Sequence, residues 1–177
     1  MIKKFSVLIL ILILCLSFIS CSKEEIRETS VAGAYYLMFQ EMTNNGADIS
    51  AYTYLSFDKE STGLEGEDLE ILENLIKDYC DEIDIGYLDM DKTRLRRALK
   101  IDDSARGEVF TGGYLLSYSN CRFEEDEDGE EFFTGDIELW HGDFDAKGGL
   151  DFIIKKTNKG WYIDRDQTNG GYDTIIS

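Results

Sequence analysis

The hydrophobic pattern of this chain changes character near Gly107, and nothing else constrains its fold as much. Up to that point helical spacing dominates, interrupted by two short strand-like stretches; beyond it apolar residues alternate with polar ones, the period of a strand. Residues 24–43 read as a helix carrying Ile26, Ala34, Leu37, Met38, Phe39 and Met42 on one side. Asn44-Asn45-Gly46 stops it, because Asn and Gly tolerate the left-handed conformation at a helix end. Residues 52–57 read as a strand and 61–66 as a loop. A second helix at 67–80 is striped by Leu69, Leu72, Leu75, Ile76 and Tyr79. Glu65, Glu67, Asp68 and Glu70 crowd its start, where the helix dipole favours negative charge. A short strand at 83–88 leads to a small helix at 91–100, with Asp91 as its N-cap. Lys92, Arg94, Arg96, Arg97 and Lys100 make that helix the basic island of the chain. The island reads either as a solvated face balancing nearby acids or as a contact for an acidic surface.

Past Gly107, residues 112–123 are β-like and Asp128-Gly129 is a hairpin turn signal. Residues 131–140 place Phe133, Ile137 and Leu139 on one face and Thr134, Asp136 and Glu138 on the other. Residues 150–156 and 160–164 form a further hairpin around Asn158-Lys159-Gly160. Helices first and strands after predict an α+β fold, with two main helices packed on one face of an antiparallel sheet of four to six strands. Cystatin-like and nuclear-transport-factor-like domains are the cone-like forms this pattern suggests. Ten Tyr, ten Phe and two Trp, spread through the chain, supply a core and exclude disorder despite the charge.

The first residues give an address. Lys3 and Lys4 precede an apolar stretch, 5–19, that runs through Ser20 onto Cys21. As a helix that stretch spans roughly 22 Å, short of the ~30 Å bilayer core, and it fits a signal-peptide core instead. The order resembles a bacterial lipoprotein signal peptide, with the small residue Ser20 directly before the cysteine. Phe18 and Ile19 depart from the Leu and small residue usual there, so ordinary secretion and an uncleaved anchor stay open. The resemblance implies a cleaved leader 1–20, a diacylglyceryl group on Cys21 with fatty acyl chains such as palmitate, a tether 21–29 and one domain 30–177. It implies an extracytoplasmic protein held on the cell membrane or outer membrane. Two acyl chains suffice for stable anchoring where one does not.

Charge agrees. Losing Lys3 and Lys4 with residues 1–20 takes the net charge from −18 to −20. An anionic membrane repels such a molecule as a whole, so the lipid is what keeps it in place. Nucleic acid is excluded as a partner for the same reason; a basic protein is not.

Of the four cysteines, Cys15 leaves with the leader and Cys21 takes the lipid. Cys80 and Cys121 then form either a disulfide, worth roughly 4 kcal/mol in the chain-entropy model, or two separate buried thiols. With His141 the single histidine, no metal site and no cofactor is expected. The acidic run Glu124–Glu131 fails as a calcium loop, since Gly135 stands where the twelfth ligand should be. It reads as a charged hairpin tip. Asp164–Thr168 fails likewise. His141 has Asp136, Asp143 and Asp145 near in sequence, but no Gly-x-Ser-x-Gly elbow accompanies it. Gly148-Gly149 precedes a strand and makes no phosphate cradle. Trp140, His141, Trp161 and Tyr162, with Tyr172, either line a ligand groove or fill the core.

The run from Trp140-x-Gly142 through Gly148-Gly149-Leu150 to Gly160-Trp161-Tyr162 and Ile176-Ser177 resembles the ending of small, uncharacterised bacterial lipoproteins. That resemblance implies a helical half before a sheet, and no catalytic residue. The expectation for function is therefore a non-enzymatic lipoprotein that binds an envelope partner or ligand. The alternatives are an acidic neutraliser of a basic protein and a carboxylate-dependent envelope hydrolase.

Overall fold

Helix α1 (Val31–Asn45) is apolar almost all round, and it becomes the centre of the molecule for that reason. Ala32, Ala34, Tyr35, Tyr36, Met38, Phe39 and Met42 are all buried. The computed structural model describes residues 30–45, 47–100, 112–142, 145–166, 168 and 173–175. The leader, Cys21, Asp143 and Tyr172 lie outside them. The helix stops at Asn45, as the Asn-Asn-Gly signal predicts, and the Ala47 N–H then closes back onto the Met42 carbonyl at 2.9 Å.

Two further helices follow, α2 (Gly66–Glu82) and α3 (Lys92–Ala98), together with strands β1 (Tyr54–Phe57), β2 (Gly86–Leu88), β3 (Gly113–Glu125), β4 (Glu131–Gly142), β5 (Asp145–Thr157), β6 (Gly160–Ile163) and β7 (Asp173–Ile175). The protein is an α+β fold with its helices before its long strands. The sheet runs β2-β1-β3-β4-β5-β6, with β7 also on β5. From β3 onward every pairing is antiparallel. β1 departs from that expectation: it pairs parallel with both β2 and β3. Parallel neighbours need a crossover, and α2 supplies it between β1 and β2.

Helix α2 buries Leu72, Ile76 and Cys80 against α1, leaving its acidic face to solvent. Both helices cover one face of the sheet, on Leu55, Phe57, Tyr114, Leu116, Tyr118, Phe133, Ile137, Leu139, Phe152 and Ile154. Tyrosine hydroxyls tie the layers together. Tyr35 donates to the Thr62 carbonyl at 2.7 Å and Tyr118 to the Tyr35 carbonyl at 3.2 Å.

The sheet curls round α1 along one row of residues. β3 shifts register between Ser119 and Arg122, and β5 does so opposite the Gly135–Ile137 stretch of β4. At these bulges Asn120 and Asp151 adopt left-handed φ of 55° and 52°, a conformation Asn and Asp tolerate better than most residues. Between them stands Asp136. Its carboxylate accepts Asn120 Nδ2 on one side and the Asp151 backbone N–H, at 2.8 Å, on the other. Pattern alone places Thr134 and Asp136 on a solvent face, yet both are buried. Asp136 is buried with its oxygens engaged, which is the condition for an interior carboxylate. The row also needs small residues: a Cβ on Gly135 would stand 2.6 Å from Cys121 Sγ, and one on Gly149 would stand 2.2 Å from the Phe152 ring.

The opposite face is covered differently. There α3 sets Leu95 into a small second cluster with Leu115 and Trp140, flanked by Tyr54, Leu88 and Met90. Asp91 caps α3 as its position predicts, accepting the Arg94 N–H at 2.8 Å.

Candidate functional site

His141 lies near the end of β4 on the α1 side of the sheet, half-buried between two tyrosines. Tyr52 arrives from the turn before β1 and Tyr114 from the start of β3. Their rings lie 4.9 Å and 5.1 Å from the imidazole and 4.6 Å from each other. The Tyr114 hydroxyl reaches that of Tyr52 at 3.4 Å. His141 Nδ1 is 2.6 Å from the Gly113 carbonyl. A carbonyl only accepts, so Nδ1 carries a proton and Nε2 is the basic atom of the neutral ring. What orients this histidine is therefore backbone. Among the described residues no carboxylate bonds to it, and Asp136 is occupied by the two bulges. Aromatic rings around one half-buried imidazole suit recognition of a planar or cationic group better than acid–base work, which needs an oriented partner for the base.

The other sequence candidates are not brought to this place. Trp140, next along the strand, points through the opposite face and is buried under Leu95, with Lys92 Nζ 3.5 Å above its ring. Trp161 packs beside Phe123 on the α1 side and donates Nε1 to the Ser30 carbonyl at 2.8 Å. In register Trp140 pairs with Ala146 and Trp161 with Lys156, positions roughly 30 Å apart along an extended strand. Tyr162 is exposed. Trp140, His141, Trp161 and Tyr162 thus line no common groove. Tyr52 and Tyr114 escape sequence reasoning because only the β1–β3 pairing joins residues so far apart in the chain.

Cys80 and Cys121 are free thiols, the second of the two arrangements the sequence left open. Cys80 belongs to the buried face of α2, and Cys121 to the β3 bulge over Gly135. Burial pushes the first up to about 12 and the second up to about 11. Neither is a thiolate at neutral pH, so neither is a nucleophile.

A Ser-x-x-Lys spacing, Ser56 to Lys59, is also present and carries no chemistry. Ser56 is buried and donates to the Met90 carbonyl at 2.8 Å. Lys59 turns away to Asp89 at 2.8 Å and Glu73 at 3.3 Å. Glu73 in turn holds Lys77 at 2.8 Å and accepts the Tyr87 hydroxyl at 3.1 Å. Burial alone would raise its carboxyl; hydrogen bonds from Lys77 and Lys59 outweigh that and hold it below the ordinary value. Beside this network a depression of about 390 Å³ opens between Lys59, Glu60, Gly63, Leu64, Glu65 and Leu69. Its walls bring no nucleophile or base together. Among the described residues no cluster of His, Cys, Asp and Glu could hold a metal ion, and no helix is long and apolar enough to cross a membrane.

Comparison with known proteins finds no family model, no curated protein and no solved structure that matches this chain.

Proposed function

We propose that this protein is an extracytoplasmic lipoprotein, anchored through Cys21, whose single domain binds an envelope partner and performs no catalysis. The carrying observation is the leader: a basic start, an apolar stretch too short to span a bilayer, and Ser20 before Cys21. The His141–Tyr52–Tyr114 cluster is the contact surface we assign to the partner. The part-exposed Tyr52 and His141, backed by the buried Tyr114, offer apolar area with polar edges, the chemistry enriched where proteins meet. The test is the mass of the N-terminal peptide from membrane-extracted protein. A diacylglyceryl-modified Cys21 is expected, and retention of Met1 or an unmodified Cys21 would end the reading. For the contact surface, His141→Ala with Tyr52→Ala should lower partner capture about tenfold or more without lowering the melting temperature much.

A second reading, neutralisation of a basic protein, is favoured by the β3–β4 turn. Asp126 Oδ1 accepts the N–H groups of Asp128 and Glu130 at 3.1 and 2.9 Å, fixing a turn around which Glu125, Glu127, Asp128, Glu130 and Glu131 are exposed. It predicts binding that weakens steeply with salt; affinity equal at low and high salt would eliminate it.

A further inference from the structure

We propose that, in the anchored protein, the basic face of α3 rests on the anionic surface of the same bilayer that holds the lipid. This rests on acylation of Cys21 and adds to it an orientation of the domain. Lys92, Arg94, Arg97 and Lys100 are all exposed on or just beyond α3. Arg94, Arg97 and Lys100 meet no carboxylate among the described residues. Lys59, Lys77, Arg122, Lys155 and Arg165 each do. Of the acids just before the helix, Asp91 caps it and Asp89 pairs with Lys59; Asp102 and Asp103, after Lys100, lie outside the described residues. Leu99, at the end of the same helix, is 38% exposed and adds an apolar contact at head-group level.

A net charge of −20 would forbid this only if the molecule acted as a point charge. It does not. The Debye length at physiological salt is about 8 Å, whereas a domain of this size has a radius of gyration of roughly 15 Å. The acidic β3–β4 turn precedes β4, and α3 meets β4 at Trp140, near the other end of the strand. That separation is roughly 30 Å of extended chain, several screening lengths. The bilayer therefore sees α3 and not the acids of the β3–β4 turn. Each basic side chain near an anionic surface strengthens the contact about fivefold, and the anchor supplies a high effective concentration.

Reach is sufficient too. The tether joins the domain at Ser30, against Trp161, and the α3 end lies farther along the sheet. From Cys21 to Ser30 the chain can extend roughly 30 Å, which matches the roughly 30 Å of strand between the Trp161 and Trp140 positions.

The test returns full-length protein, extracted from membranes, to vesicles of phosphatidylcholine with or without phosphatidylglycerol. Amine labelling is then read by mass spectrometry. Lys92 and Lys100 should label several-fold more slowly on the anionic vesicles. High salt, or the pair Arg94→Glu and Arg97→Glu, should restore their labelling. Exposed Lys159, on the β5–β6 turn, serves as the unaffected reference. Equal labelling of Lys92 and Lys100 on both vesicles, with an acylated Cys21 peptide in the same digest, overturns the docking alone. An unmodified Cys21 overturns the anchor and the docking together. Protection in native envelopes but not on anionic vesicles would put an acidic protein in place of the bilayer.

Discussion

The two faces of the sheet are covered by helices of opposite character. On one, α1 and α2 bury a continuous core in which Phe39, Phe57, Leu72, Ile76 and Phe133 are almost wholly enclosed. On the other, a single short helix stands on Leu95, Leu115 and Trp140 and turns its cations outward. A face that encloses much apolar surface stabilises the fold, since burial scales with area. A face that encloses little is free to display charge. The first keeps the protein folded and the second carries the exposed basic residues of α3.

The sharpest way to break that contrast is to cut each core in turn. Phe39→Ala should cost about 3–5 kcal/mol, read as a lower denaturant midpoint for the whole domain. Gly149→Ala comes next, at about 1–3 kcal/mol, because its new methyl must displace the Phe152 ring in the curl of the sheet. Leu95→Ala should cost about 2 kcal/mol and speed amide exchange in α3 before the rest of the domain. An equal loss of protection in α1 would show the two faces to be one cooperative unit.

The smallest effect separates packing from charge. Glu73→Gln should cost about 1 kcal/mol or less at neutral pH. Its carboxyl lies below the ordinary value in the fold. Its stabilisation is therefore present above the unfolded value near 4.3 and lost as pH falls through the lower folded value. Parent and variant should converge in acid, and a gap that persists there would assign the loss to packing. Lys59 has the opposite sign. Hydrogen bonding to Asp89 raises it despite desolvation, so its contribution holds below its unfolded value near 10.4 and fades as pH climbs through the raised one. Titrating thiols makes a last check: two should react after unfolding and neither readily before, whereas a disulfide would leave none.

Local signals were legible where local physics decides. Asn44-Asn45-Gly46 ends α1, Asp91 caps α3 and Asp128-Gly129 turns β3 into β4. The stripe drawn for the first helix missed Tyr35 and Tyr36, because α1 is enclosed on several sides and one amphipathic face underestimates that. Asp136 looked like a solvent-facing acid and is a buried clamp, since alternation reports strand period and not the bulges on neighbouring strands. The candidate site was half legible. His141 stood out as the single histidine, but its neighbours Tyr52 and Tyr114 come from other strands, and Trp140 beside it faces the other way.

The linear chain determined the order of helices and strands and the overall charge, because each is set by composition or by residues within a few positions of one another. Only the folded sheet decided that β1 runs parallel to its neighbours, that the two thiols stay apart, and that Arg94 and Arg97 of α3 meet no carboxylate among the described residues. Those outcomes depend on which distant segments share a hydrogen-bonded edge, and no local pattern encodes that.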